Sequence, residues 1–131
     1  MKLTAIATAL ITGMAMPALA QDASLGIWKT TPDDNGNYGY VEIAPCGEKI
    51  CGVLVRAFNG SGTEIPSDNI GKPIVWDMQP QGNGAYAKGK IWSPDRDKIY
   101  SSKMQMTGDS MAVSGCVLGI CRDGGTWTRV N

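Results

Sequence analysis

The sequence predicts an all-β chain, a single antiparallel up-and-down barrel of about eight strands. Three observations lead there. Eight strand-like runs follow one another at short spacing, over roughly 25–31, 38–45, 51–58, 73–79, 84–92, 97–106, 110–116 and 121–130, with Gly, Pro, Asn or Asp between most of them. No window shows a helical period of apolar residues. The two ends also match: Leu25-Gly26-Ile27-Trp28 opens the first run and Thr126-Trp127-Thr128-Arg129-Val130 closes the last. In a closed barrel the first and last strands are neighbours, so Arg129 is expected to lie over the Trp28 ring as a cation–π pair. Gly26 would let the backbone pass close to the indole, and Trp127 belongs to the same seam.

Ahead of the first strand, residues 1–20 read as a secretory signal. Lys2 precedes an apolar run from Leu3 to Met16, then Pro17 and the small-x-small site Ala18-Leu19-Ala20. This run is too short for a mature membrane span, and nothing later is long and apolar enough. The mature domain is then 21–131, expected to be exported. The whole sequence of 131 residues balances 12 basic against 12 acidic residues. These are scattered, so no basic stripe points to nucleic acid or to anionic lipid.

Asp33-Asp34-Asn35-Gly36-Asn37 is the first turn; Tyr38 stands where a calcium loop would need its glycine, so calcium is not expected there. The four cysteines form two C-x4-C units, Cys46/Cys51 and Cys116/Cys121. After an export signal an even count predicts disulfides, and a four-residue turn between strands would set each pair face to face, favouring Cys46–Cys51 and Cys116–Cys121. The x4 spacing is not that of a thioredoxin-like site. Asn59 to Lys72 is the one long connection, the kind of segment that often has a functional role in small β domains. Gln81-Gly82-Asn83-Gly84, Ser93-Pro94-Asp95-Arg96 and Thr107-Gly108-Asp109-Ser110 are further turns. Alternation separates Val41 and Ile43 from Tyr40 and Glu42, Val53 and Val55 from Leu54 and Arg56, and Ile74, Trp76 and Met78 from Val75 and Asp77.

Several segments occur in a recognisable order: Gly26-x-Trp28, Val41-Glu42-Ile43, Cys51-Gly52-x-Leu54, Gly71-Lys72-Pro73-Ile74, Ile91-Trp92-Ser93-Pro94, Lys98-Ile99-Tyr100 and Trp127-Thr128-Arg129-Val130. Together they resemble the exported bacterial proteins of the domain of unknown function 2147 family. The resemblance spans essentially the whole mature chain. It implies a compact calycin-like, lipocalin-related barrel in the periplasm, and it supplies no activity.

Catalytic constellations are scarce. The chain has no histidine, which removes Ser-His-Asp and Cys-His arrangements and weakens any zinc site. Asp95 and Asp97 read as solvated turn residues. Ser102 and Lys103 face opposite ways along a strand, so no Ser-Lys dyad forms there. Met104, Met106 and Met111 share a hairpin face and would suit Cu(I), but they are expected to fill the core instead. No residue set points to an enzyme, a metal or a cofactor. The expected activity is binding of a small apolar ligand or a periplasmic protein partner. The alternative is an envelope structural or inhibitor-like protein with a filled barrel.

Alternate connections of such a barrel emerge at one end. The turn 33–37, the loop 59–72, the turn 93–96 and the tip 117–120 should therefore crowd one rim, opposite the chain ends, Cys46–Cys51 and the turns 80–83 and 107–110. Turns are normally polar, yet Val117-Leu118-Gly119-Ile120 is an apolar tip, expected to act as a lid or as a contact for a partner. Val117, Leu118, Ile120, Ile65, Ile70 and Trp92 are the expected contact residues.

Overall fold

The computed structural model describes residues 22–131, so the expected leader 1–20 lies outside the described residues. The strands are β1 (Gly26–Lys29), β2 (Tyr38–Cys46), β3 (Lys49–Phe58), β4 (Glu64–Ile65), β5 (Pro73–Gly82), β6 (Ala85–Ser93), β7 (Lys98–Thr107), β8 (Ser110–Val117) and β9 (Ile120–Arg129). The pairing order β2-β1-β9-β8-β7-β6-β5-β3 closes on itself through β2 and β3, giving an eight-stranded antiparallel barrel. Among the described residues no helix is long and apolar enough to cross a membrane.

The seam is short. Trp28 stands opposite Arg129 and Lys29 opposite Thr128, and the Ile27 carbonyl accepts from Val130 N–H. The guanidinium carbon of Arg129 lies 4.4 Å from the Trp28 ring centroid. Gly26, at φ +131°, leaves room for the Asn131 carbonyl and the Arg129 guanidinium rather than for the indole. A Cβ there would meet the carbonyl of the chain's own end.

Four residues ahead of β1 close the barrel's lower end. Trp28 Nε1 donates to the Ser24 carbonyl at 2.8 Å, and Ser24 is fully buried. The Asp22 carboxylate accepts from Ser24 N–H, Ser24 Oγ and Tyr86 Oη. The buried polar groups of Ser24 and the Tyr86 hydroxyl thus have partners, as burial requires. Above it the interior is filled by Trp28, Ile43, Ile50, Met78, Tyr86, Met104 and Met111.

Burial, followed by the bond to Asp22, pushes the Tyr86 phenol up to about 12. Burial disfavours the phenolate, and the carboxylate favours the proton that it accepts. The unfolded chain ionises its tyrosines near pH 10. Stability from this group is therefore full below about pH 10 and is lost as pH rises through 12. A spectrophotometric titration of the protein against Tyr86→Phe should show a difference transition above about pH 11; one centred near pH 10 contradicts the assignment.

Two expectations change at the strand level. Strict alternation fails in β5, where Ile74, Val75 and Met78 are all buried. Asp77 at φ 57° and Lys88 at φ 68° bend β5 and β6 together, and the β6–β7 register slips between Tyr86 and Gly89. Gly89 is needed at this bend, because a Cβ would strike Met78 Sδ and the Trp76 carbonyl. In β3 the inward residues are Ile50, Gly52 and Leu54, while Val53 and Val55 face out half-exposed.

Both disulfides are local, with Cα–Cα distances of 5.8 Å for Cys46–Cys51 and 4.0 Å for Cys116–Cys121. The expected four-residue turns are shorter. Cys46 pairs with Lys49 and Cys51 with Ala44, so the first bridge runs diagonally across a two-residue turn. Cys116 stands directly opposite Cys121, and Val117 opposite Ile120, leaving Leu118 and Gly119 as the turn. Both turn residues have positive φ, 52° and 82°. That is the geometry of a type I′ hairpin, where Asn-Gly is the usual choice. A left-handed leucine costs about 1–2 kcal/mol, and the bridge directly below helps to hold the turn in shape.

Candidate functional site

The upper half of the barrel is open. A cavity of about 920 Å3 is lined from all four rim connections, 33–37, 59–72, 93–96 and 117–120, and from Arg122, Asp123 and Gly124 of β9. Its floor and walls are Val41, Leu54, Ile74, Ile91, Tyr100 and Trp127, with Ala57 and Phe58 on the β3 side. Inward alternation produces this lining: Val41 pairs with Leu54, Ile91 with Tyr100, and Met111 with Trp127. Small residues make the space. Gly39 and Gly115 both line it, and a Cβ at Gly39 would collide with the Leu54 side chain.

Connection 59–72 is not structureless. Asn59 Oδ1 accepts from Ser61 N–H and Thr63 N–H, and β4 then pairs back on β3 through Ala57–Ile65 and Phe58–Glu64. This brings Ile65 into the cavity wall. Tyr38 stacks on Phe58 at 5.0 Å and 15°, with Tyr40 against the same ring at 4.6 Å. These rings share the Lys29 face of the strands, with Lys29 Nζ 4.4 Å from the Tyr38 centroid, and so brace the wall from behind, while Tyr100 and Trp127 give the cavity its aromatic surface.

Of the rim residues singled out by the sequence, Ile65, Trp92, Val117, Leu118 and Ile120 border the cavity. Ile70 does not line it; it projects from the loop at 44% exposure. The tip does not fold down as a lid, since Leu118 is 96% exposed. Val117 and Ile120 edge the mouth, while Leu118 points into solvent. Trp92 is anchored by its indole N–H, which donates to Asp97 Oδ1 at 3.0 Å, and by Lys72 Nζ 5.3 Å from the ring centroid. Asp97 is thus more than a solvated turn residue.

The polar groups of the mouth are mostly committed to architecture. Asp33 accepts from Asn35 N–H and Asn37 N–H, Thr31 Oγ1 donates to the Thr126 carbonyl, and Asp123 accepts from Gly125 N–H. The arrangement is an apolar container with a polar lip.

The metal alternatives have their own geometry. Among the described residues, Cys46, Cys51 and Asp77 form a group close enough to share a cation, but both sulfurs are joined to each other. Met104 and Met111 are buried in the filled half. Met106 Sδ has the Arg129 guanidinium 3.8 Å away, a cation that would oppose a second one.

Residues 26–129 match the family described as "Uncharacterized protein conserved in bacteria (DUF2147)". The chain belongs to this family. No curated protein matches it. Among solved structures this DUF2147 chain is similar to protein HP1028 from the human pathogen Helicobacter pylori, described as belonging to the lipocalin family. The TM-score is 0.63 at 15% identity, and 82% of each chain is covered. At that identity the likeness speaks for the fold, a lipocalin-like barrel.

Leu54, Ile74, Ile91, Tyr100 and Phe58 were not singled out from the sequence as site residues. Alternation marked some of them as one face of a strand, but the level at which the filling stops depends on the plug at 22–25, which no pattern announces. Trp127, assigned to the seam, is also cavity wall.

Proposed function

We propose that this protein is a non-enzymatic periplasmic carrier that takes a small, largely apolar ligand into the open half of its barrel. The observation that supports this most is the cavity of about 920 Å3 with an apolar floor and aromatic wall. Its size falls in the range of small-ligand sites, about 300–1,000 Å3. Barrels of eight strands are wide enough to hold one small ligand, as lipocalins do, and the likeness to a protein described as a lipocalin supports the same use. A leader at 1–20 and two disulfides fit an oxidising compartment. Proteins acting only through rim loops need no such space. The filled lower half fits that alternative, and the open upper half argues against it.

The neutral apolar dye N-phenyl-1-naphthylamine tests the container. Its fluorescence should rise on addition of the protein, and Ala57→Trp, which places an indole in the cavity, should weaken binding by at least about tenfold, some 1.4 kcal/mol. The thermal midpoint should stay close to that of the original protein. No fluorescence response, or equal binding by Ala57→Trp, counts against a ligand-holding cavity.

A further inference from the structure

The exposed large apolar residues are unevenly placed. Ile70, Ile99, Val117, Leu118 and Ile120 are 44–96% exposed and stand at or just below the open rim, whereas Val130 is at the closed end. Continuing the β7–β8 register past Ser101–Cys116 sets Ile99 level with Leu118, so the tip and its neighbouring strand form one aliphatic ridge. Leu118 also breaks a local rule, occupying a left-handed position where Asn is favoured. A local rule broken with no gain in packing points to function rather than folding.

We propose that this rim dips into the interfacial region of a lipid bilayer, with Leu118 and Ile120 as the leading anchors. Two features favour a bilayer over a protein or a second copy. Val117, Leu118 and Ile120 border a cavity mouth rather than one flat patch, which suits a fluid partner without fixed shape. In the tip and the neighbouring 93–98 turn the charges balance in number, Arg96, Lys98 and Arg122 against Asp95, Asp97 and Asp123. Electrostatic steering towards a protein or towards anionic headgroups is thus absent, and the attraction is apolar. The Cys116–Cys121 bridge keeps the tip in one shape, so little ordering is required on insertion. Docking in this way turns the cavity mouth towards the membrane.

Flotation with phosphatidylcholine vesicles tests the proposal. The exported, disulfide-bonded protein is used after mass spectrometry has established its N-terminus, because an uncleaved 1–20 would partition by itself. The protein should float with the vesicles, with similar partition at low and high salt and with added phosphatidylglycerol. Leu118→Ser with Ile120→Ser should lower the partition by at least about tenfold, since each aliphatic side chain buried is worth about that factor. The thermal midpoint should not move, and Val130→Ser should float unchanged. Leu118→Trp should bind at least as well and shift its emission to the blue on vesicle addition. Failure to float, equal flotation of the double serine variant, or binding abolished by salt each overturns the proposal. So does sedimentation as a dimer that the double serine variant dissociates, which would assign the ridge to a second copy. None of these outcomes depends on whether the cavity binds the dye.

Discussion

Trp28→Ala should cost about 3–5 kcal/mol, the range for removing a large aromatic side chain from a packed core. Trp28 is fully buried, and its indole joins three parts of the molecule. Its ring packs in the filled half of the barrel, its N–H holds the Ser24 carbonyl of the plug, and its face receives Arg129 from the last strand. Alanine leaves a void, an unpartnered carbonyl and a guanidinium with nothing beneath it. Domains of this size have about 5–15 kcal/mol of stability in total, so the variant should be largely unfolded or should melt far below the original protein. Urea unfolding followed by near-ultraviolet circular dichroism measures this. A loss under about 1 kcal/mol would show that the seam does not depend on the indole.

Arg129→Met should cost about 2–4 kcal/mol, from a cation–π contact of about 0.5–2 and from charge-assisted hydrogen bonds of about 1.5–3 that overlap with it. Methionine keeps the apolar stem, so the change isolates the guanidinium. That group donates to the carbonyls of Leu25 and Ala23 and so ties β9 to the segment ahead of β1. Its ion pair with Asp109 adds little, because the Asp109 side chain is 84% exposed. Lysine should rescue only in part, since one ammonium cannot serve two carbonyls and a ring face with a planar fork. Urea midpoints of the three proteins give the order, and lysine equal to arginine would contradict it.

The closure of the barrel was legible because Gly26-x-Trp28 and Trp127-x-Arg129 have matched chemistry at the two ends of the chain. The disulfide partners were legible because each C-x4-C unit is local. Turn geometry was less so: a bridge across Cys46 and Cys51 looks the same in sequence whether the turn has two residues or four. The bend at Asp77 and Lys88 was hidden, since lysine does not advertise positive φ, an aspartate inside a strand-like run reads first as an outward residue, and the requirement comes from packing between β5 and β6. The plug at 22–25 was hidden for a similar reason; Asp22 finds its partner in Tyr86, which lies 64 residues away. The rim was visible as an apolar tip where turns are polar. Its cavity was not, because the depth of the space depends on where Met78, Met104 and Met111 stop filling the interior.

A small apolar molecule held in the open half of the barrel should be visible directly by native mass spectrometry of the protein purified from the cells that make it. A population heavier than the disulfide-bonded chain by the mass of one small organic ligand is expected, and it should be lost in Ala57→Trp. A single species at the bare chain mass, unchanged after incubation with an apolar extract of the same cells, would contradict it.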